Sequence, residues 1–337
     1  MIGYAANIVT TYGRQRPLFR RLAASVVALV SLLIPLSAPH AATCLYISSY
    51  HSGYEWNDGI EQGLEKSLAG KCRLEKFYMD SKRHQSDDHS KMMALQAKAY
   101  IEKLSPDILI AADDNASRYL IQPFYKNSSI PVVFCGINYS VAPYGYPYDN
   151  ATGMIEISPV RPLYKQIKAI LGSVKRGAFL AADVTSQHRE YDLNKEVYSS
   201  HGIELAPVFV KTMAEWSKQF KRLQSQGDFL VIGNNAGISD WSEEQATAVS
   251  RAETRILTVT NYDWMRWYAL LSITKLAEEQ GEWAGDVALA VLGGADISKI
   301  PVVANRHWNI YVNPELLETS GIKLPQTIML KAIRVSR

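Results

Sequence analysis

Three cysteines in 337 residues are too few for a fold stapled by disulfides. Neither they nor the histidines fall at metal-site spacing, so no metal is expected. The chain also lacks G-x-S-x-G, H-E-x-x-H, a Walker A loop and G-x-G-x-x-G. Their absence removes the usual grounds for a serine hydrolase, a zinc protease, a P-loop nucleotide hydrolase or a dinucleotide enzyme. Neither catalysis nor a cofactor is therefore expected. Internal repeats and low-complexity tracts are missing too. A large excess of either charge is absent, the formal net charge being only +3. Arg14, Arg16, Arg20 and Arg21 supply that excess, and without residues 1–43 the net charge is −1. Binding to nucleic acid thus has no electrostatic basis.

Those arginines precede an apolar run at 22–34, broken only by Ser25 and Ser31, and then Pro35 and small residues to Ala42. This is the order of a secretory signal: a charged segment, an apolar segment and a small-residue cleavage zone. The run falls short of the roughly 20 residues that span a bilayer. Residues 1–43 are read as a signal peptide, which places the remainder in the periplasm, an oxidising compartment. Cys44 opens the first predicted strand and Cys72 immediately precedes the second. Parallel strands joined by one helix begin at the same sheet edge, so the geometry allows a Cys44–Cys72 disulfide. Cys135 is left at the end of a core strand.

Apolar runs rich in β-branched residues read as buried parallel strands at 44–49, 73–79, 107–112 and 131–136. Helical periodicities separate them, such as Ile60, Leu64 and Leu68. An irregular stretch rich in Tyr, Pro, Gly and Asn follows at 139–152. The alternation then resumes, with strands at 177–182, 205–210, 229–234 and 255–260. The expected fold class is α/β: two doubly wound parallel-sheet lobes, 44–157 and 158–263, with a hinge and a central cleft.

Ligands of open parallel sheets bind outside the carboxyl ends of the strands, which selects candidate residues directly. After the first strand, Tyr50, His51, Tyr54 and Trp56 can form an aromatic wall; the alternative is that Trp56 staples the next helix and Tyr50 packs within its lobe. After the third, Asp113, Asp114, Asn115 and Ser117 suit a ligand ammonium or hydroxyl, or cap a helix. Asn138 follows the fourth. In the second lobe the candidates are Asp183 and Thr185, with capping as the alternative, and Asn234 and Asn235, as paired amides or a turn. Asn261 and Asp263 complete the set. Trp264, Trp267 and Tyr268 form a stripe that suits the core or the cleft.

Four segments carry a family resemblance: SYHSGYEWNDGIEQGLEKSL, PDILIAADDNASRYLIQPFYKNSSIPVVFCGIN, LAVLGGADISKIPV and IYVNPELLETSGIKLPQTIMLKA. In this order they resemble the bacterial ABC-transporter substrate-binding family that includes tryptophan- and other aromatic-amino-acid-binding proteins, with the type I periplasmic-binding-protein fold. The resemblance implies reversible capture of a small polar or aromatic, amino-acid-like solute by a monomer that docks on an inner-membrane ABC permease. It also implies that the chain returns to its first lobe, here through 264–298. The lobe that takes the closing segment 299–337, with its strand HWNIYVN, stays open. The chain departs from the family at Asp113 and Asp114, where those proteins carry a small uncharged loop with a Thr or Ser for the ligand carboxylate. The first segment also resembles extracytoplasmic sensor modules. The alternative expectation is therefore a sensory subunit that presents a solute to a separate membrane kinase or cyclase.

Overall fold

Each strand anticipated from an apolar run is present in the computed structural model, which describes residues 42–335, but those at 73–79 and 205–210 are edge strands and only partly buried. The expected signal peptide up to Ala41 lies outside the described residues. Five strands come first: β1 (Thr43–Ser48), β2 (Arg73–Tyr78), β3 (Ile108–Ala112), β4 (Val132–Asn138) and β5 (Ala151–Glu156). Five more follow: β6 (Arg176–Ala182), β7 (Glu204–Val210), β8 (Phe229–Ile232), β9 (Leu257–Thr260) and β10 (Leu271–Lys275). The last are β11 (Val303–Ala304), β12 (Trp308–Val312) and β13 (Ile333–Arg334). One sheet has the order β11-β5-β4-β3-β1-β2, the other β13-β12-β10-β9-β8-β6-β7. All pairings are parallel except β10 with β12.

Because side chains alternate along a strand, each sheet builds a core on both faces. Leu45 and Ile47 of β1 join Leu109 and Ala111 on one side. Cys44 and Tyr46 join Ile108 and Ile110 on the other. That second face is covered by helices Glu55–Leu68 and Ala277–Leu292. The two helices meet through glycines: a Cβ on Gly281 would lie 1.9 Å from the Ile60 carbonyl oxygen. Among the described residues, no helix is long and apolar enough to cross a membrane.

The sequence reading missed β5 and β10, and the two-residue β11 and β13. ATGMIE of β5 has few β-branched residues, and it follows directly on the irregular stretch. LSITK of β10 is short and its Ser272, Thr274 and Lys275 interrupt any apolar run, and the aromatic stripe before it has helical spacing. This corrects the expected return of 264–298. Residues 264–275 stay with the second sheet, where β10 pairs with β9. The return begins only with helix Ala277–Leu292. The closing strand is β12, in the second sheet beside β10. The chain thus crosses between the lobes after β5, after β10 and after β11.

Cys44 and Cys72 are joined by a disulfide with their Cα atoms 6.0 Å apart and a sequence separation of 28. Closing a loop of that length is expected to stabilise the protein by about 3 kcal/mol. Thermal unfolding with and without a thiol reductant measures this; an unchanged Tm on reduction would show that the bridge contributes nothing. Cys135 is buried as a free thiol.

Candidate functional site

A cavity of about 500 Å³ lies where the carboxyl ends of both sheets converge. Tyr50 follows β1, Lys82 follows β2, Asp113 to Asn115 follow β3, and Asn138 and Glu156 end β4 and β5. The second lobe adds Gln187, Asn234, Asn261 to Trp264, Thr274 and Lys275. An adjoining cavity of about 450 Å³ shares Tyr54, Trp56, Asp263 and Lys275 and extends to Asn235 and Tyr311. Another of about 540 Å³ lies at the lobe crossings, walled by Ile157, Pro159, Leu193, Val197 and Trp308, at the edge of the first sheet where β5 and β11 end.

Asp113 is the most constrained residue of the site. It is 1% exposed and has a left-handed backbone, φ 69°. Gly136, itself at φ 70°, makes room for it, since a Cβ there would sit 2.8 Å from Asp113 Oδ1. The Ser49 hydroxyl fixes the start of the following helix: it donates to Ala112 O at 2.6 Å and accepts from Ala116 N at 2.8 Å. Trp56 Nε1 donates to Asp113 Oδ1 at 3.2 Å. Asp113 Oδ2 is buried with no hydrogen-bond partner among the described residues. Burial, and after it the nearby Glu156 and Asp114 carboxylates, pushes the Asp113 carboxyl well above its ordinary range.

The neighbouring charges are differently satisfied. Asp114 accepts from Asn138 Nδ2 at 2.8 Å and from the Tyr144 hydroxyl at 2.6 Å. Glu156 pairs with Lys275; burial raises its pKa and the Lys275 ammonium opposes that shift. Lys275 Nζ also lies 5.7 Å from the Trp56 ring centre. Across the cleft, Gln187 Nε2 donates to the Tyr262 hydroxyl at 2.7 Å, while its Oε1 accepts from Asn234 N at 2.8 Å. Trp264 Nε1 donates to Asn234 Oδ1 at 3.2 Å. Asp263 pairs with Arg266 and accepts from Thr274 Oγ1 at 3.3 Å.

Ten of the anticipated residues line the main cavity: Tyr50, Tyr54, Trp56, Asp113, Asp114, Asn115, Asn138, Asn234, Asn261 and Asp263. Asn235 lines the adjoining one. Four are placed elsewhere. His51 turns toward Asp80, 3.7 Å away. Ser117 is fully buried and accepts from the Tyr146 hydroxyl at 3.2 Å. Asp183 points out to His188 at 2.8 Å and Lys211 at 3.4 Å. Thr185 opens its helix on the exposed side, and the next residues, Ser186 and Gln187, reach the cavity instead.

Lys82, Arg118, Tyr144, Glu156, Arg189 and Lys275 line the cavity and were not anticipated. Glu156 and Lys275 end β5 and β10, both of which went unread. Lys82 follows β2, whose carboxyl end carried no candidate. Arg118 and Arg189 lie one turn into helices whose first residues alone were considered. Among the described residues, no three His, Cys, Asp or Glu side chains gather into a metal site.

Residues 44–336 match the family model described as ABC transporter substrate binding protein, and the chain belongs to that family. By sequence, no curated protein matches it. Among solved structures, it is similar to the ligand-free, open substrate binding protein with adhesive properties from Clostridium difficile, with TM-score 0.68 and 15% identity over 88% of this chain and 99% of that one. It is also similar to the ABC domain in complex with L-Trp from Streptococcus pneumonia, with TM-score 0.63 and 16% identity over 88% and 100%. A solute binding protein of an ABC transporter from Rhodopseudomonas palustris, in complex with 3,4-dihydroxy benzoic acid, gives 0.56 and 12% over 76% and 82%. The fold is that of the type I periplasmic binding proteins.

Proposed function

We propose that this protein is an extracytoplasmic receptor that captures a small amino-acid-like solute with a ring or apolar portion, without transforming it, and delivers it to the permease of an ABC importer. The observation that carries this reading is the cleft itself. Aromatic side chains, acids and bases from both lobes converge on a cavity of about 500 Å³, a size suited to a small molecule. Tyr54 and Trp56 offer flat apolar area with polar tips. The lobes are joined by three crossings, a connection suited to hinge closure. A solute touching both lobes favours the closed form by its differential affinity. The L-Trp and dihydroxybenzoate complexes of similar folds support a ring-bearing solute.

The test is a thermal-shift screen of the purified protein against amino acids, sugars, nucleobases and small carboxylates. At a hundredfold excess over Kd, a ligand of the native state adds about 2.7 kcal/mol and raises Tm by several degrees. Trp56→Ala is expected to abolish the shift. A well-folded protein that answers to no solute class would overturn the reading.

A further inference from the structure

We infer that the first lobe's half of the cleft is a subsite for a cationic nitrogen, and that Lys82 acts there as a tethered competitor, holding its ammonium over Tyr50 and Tyr54 until a solute amine replaces it. The inference rests on the solute-receptor reading and narrows it to solutes bearing an ammonium or protonated amine.

The charges around the cavity are unequally matched. Asp114 has two donors, Asn138 and Tyr144, and Glu156 has Lys275. Asp113 has a single donor, the Trp56 indole, and its Oδ2 is buried without a partner among the described residues. A desolvated carboxylate oxygen in a binding cleft is strongly improved by an incoming positive charge. Of the cations nearby, Lys275 is held by Glu156, and Arg118 lies over the Tyr144 ring, 5.9 Å from its centre.

Lys82 is held differently. Its Nζ lies 5.3 Å from the centre of the Tyr50 ring and 5.2 Å from that of Tyr54. Those rings meet edge to face, 5.1 Å apart, so the ammonium is within cation–π range of both. Its positive charge also acts on Asp113, opposing the upward push of burial. The backbone beneath it is clamped: Ser81 N and Oγ both donate to Ser49 O, at 2.9 and 2.6 Å. The Lys82 side chain is exposed and can swing away without moving that turn. Tyr50, Tyr54 and Asp113 line the same cavity, so a solute amine that replaces the lysine on the two rings gains the Asp113 carboxyl as a further partner.

Calorimetry on the full protein with matched probes tests this. Tryptamine, phenethylamine and putrescine carry ammonium groups and no carboxylate; indole-3-acetate and phenylacetate carry the reverse. The expected result is binding of at least one amine and neither acid. Lys82→Met should then tighten that amine roughly tenfold, and Asp113→Asn should remove it while circular dichroism shows an intact fold. Binding of the acids with silence from all three amines overturns the cation subsite and leaves the receptor reading in place. An amine affinity unchanged or weakened in Lys82→Met overturns the competitor. Silence from every probe, joined by silence across the wider solute screen, removes both readings.

Discussion

Gly281→Ala is expected to destabilise the protein by at least about 3 kcal/mol. The new methyl would lie 1.9 Å from the Ile60 carbonyl oxygen and 2.9 Å from Leu64 N. Both are backbone atoms, so no rotamer change relieves the clash. The facing helix is equally tight: a Cβ on Gly63 would lie 2.2 Å from Glu278 O, and one on Gly59 2.6 Å from Ala277 Cβ. Alanine's better helix propensity returns only about 1 kcal/mol, so the clash wins. To accept the methyl, helices Glu55–Leu68 and Ala277–Leu292 must separate, which exposes the core face of Tyr46 and Ile110. The site would move with them. Gln280, one residue earlier, accepts from Gly136 N at 2.9 Å, and Gly136 is the residue that leaves room for Asp113. Urea unfolding of the variant measures the loss, and solute affinity should fall alongside it. An unchanged midpoint would show that the two helices do not approach at these glycines.

The fold was legible where burial left a compositional trace. Strands such as ILIAA of β3 and FLVI of β8 are continuous apolar runs because helices cover both faces of a parallel sheet. β5 and β10, which went unread, leave no such trace. β5 includes Ala151, Gly153 and Glu156, and its glycine is required because Phe134 packs against it, 2.1 Å from where a Cβ would be. β10 is short and ends in Thr274 and Lys275, which face the cavity. Local sequence was weakest at these strand ends because they are shaped by the site rather than by the core. The candidate residues followed the same division. A strand's carboxyl end can be read from its apolar run, which led to Tyr50, Asp113 and Asn234. The direction a side chain takes one turn later cannot, and Thr185 was chosen where Gln187 reaches the cavity. The Glu156–Lys275 pair joins residues 119 apart, a contact that only the lobe crossings bring about.

Asp113→Asn is expected to melt a few degrees above the wild type near neutral pH, and to bind any amine solute at least about a hundredfold more weakly. Both effects have one origin. Folding places the carboxyl where burial, Glu156 and Asp114 all oppose its charge, and the Trp56 hydrogen bond and the Lys82 ammonium only partly compensate. The carboxyl's folded pKa is therefore raised above the unfolded value of 3.8. The folded state holds a proton that the unfolded state has released, so stability falls as pH climbs above 3.8 toward the folded value. Asparagine carries no charge to bury. Its Oδ1 can still accept from Trp56, and it tolerates the left-handed backbone at φ 69° better than most residues. The advantage of the variant should accordingly be small at about pH 4 and larger at about pH 8. Paired melting curves at the two pH values decide the matter: an equal advantage at both would mean that the carboxyl is not strained by its surroundings. The amine loses its partner in the same substitution: the Asp113 carboxyl can give up its proton to face a desolvated ammonium, and an amide cannot take on that negative charge. On the proposed reading, keeping Asp113 costs stability when no solute is bound, and a solute cation would restore it.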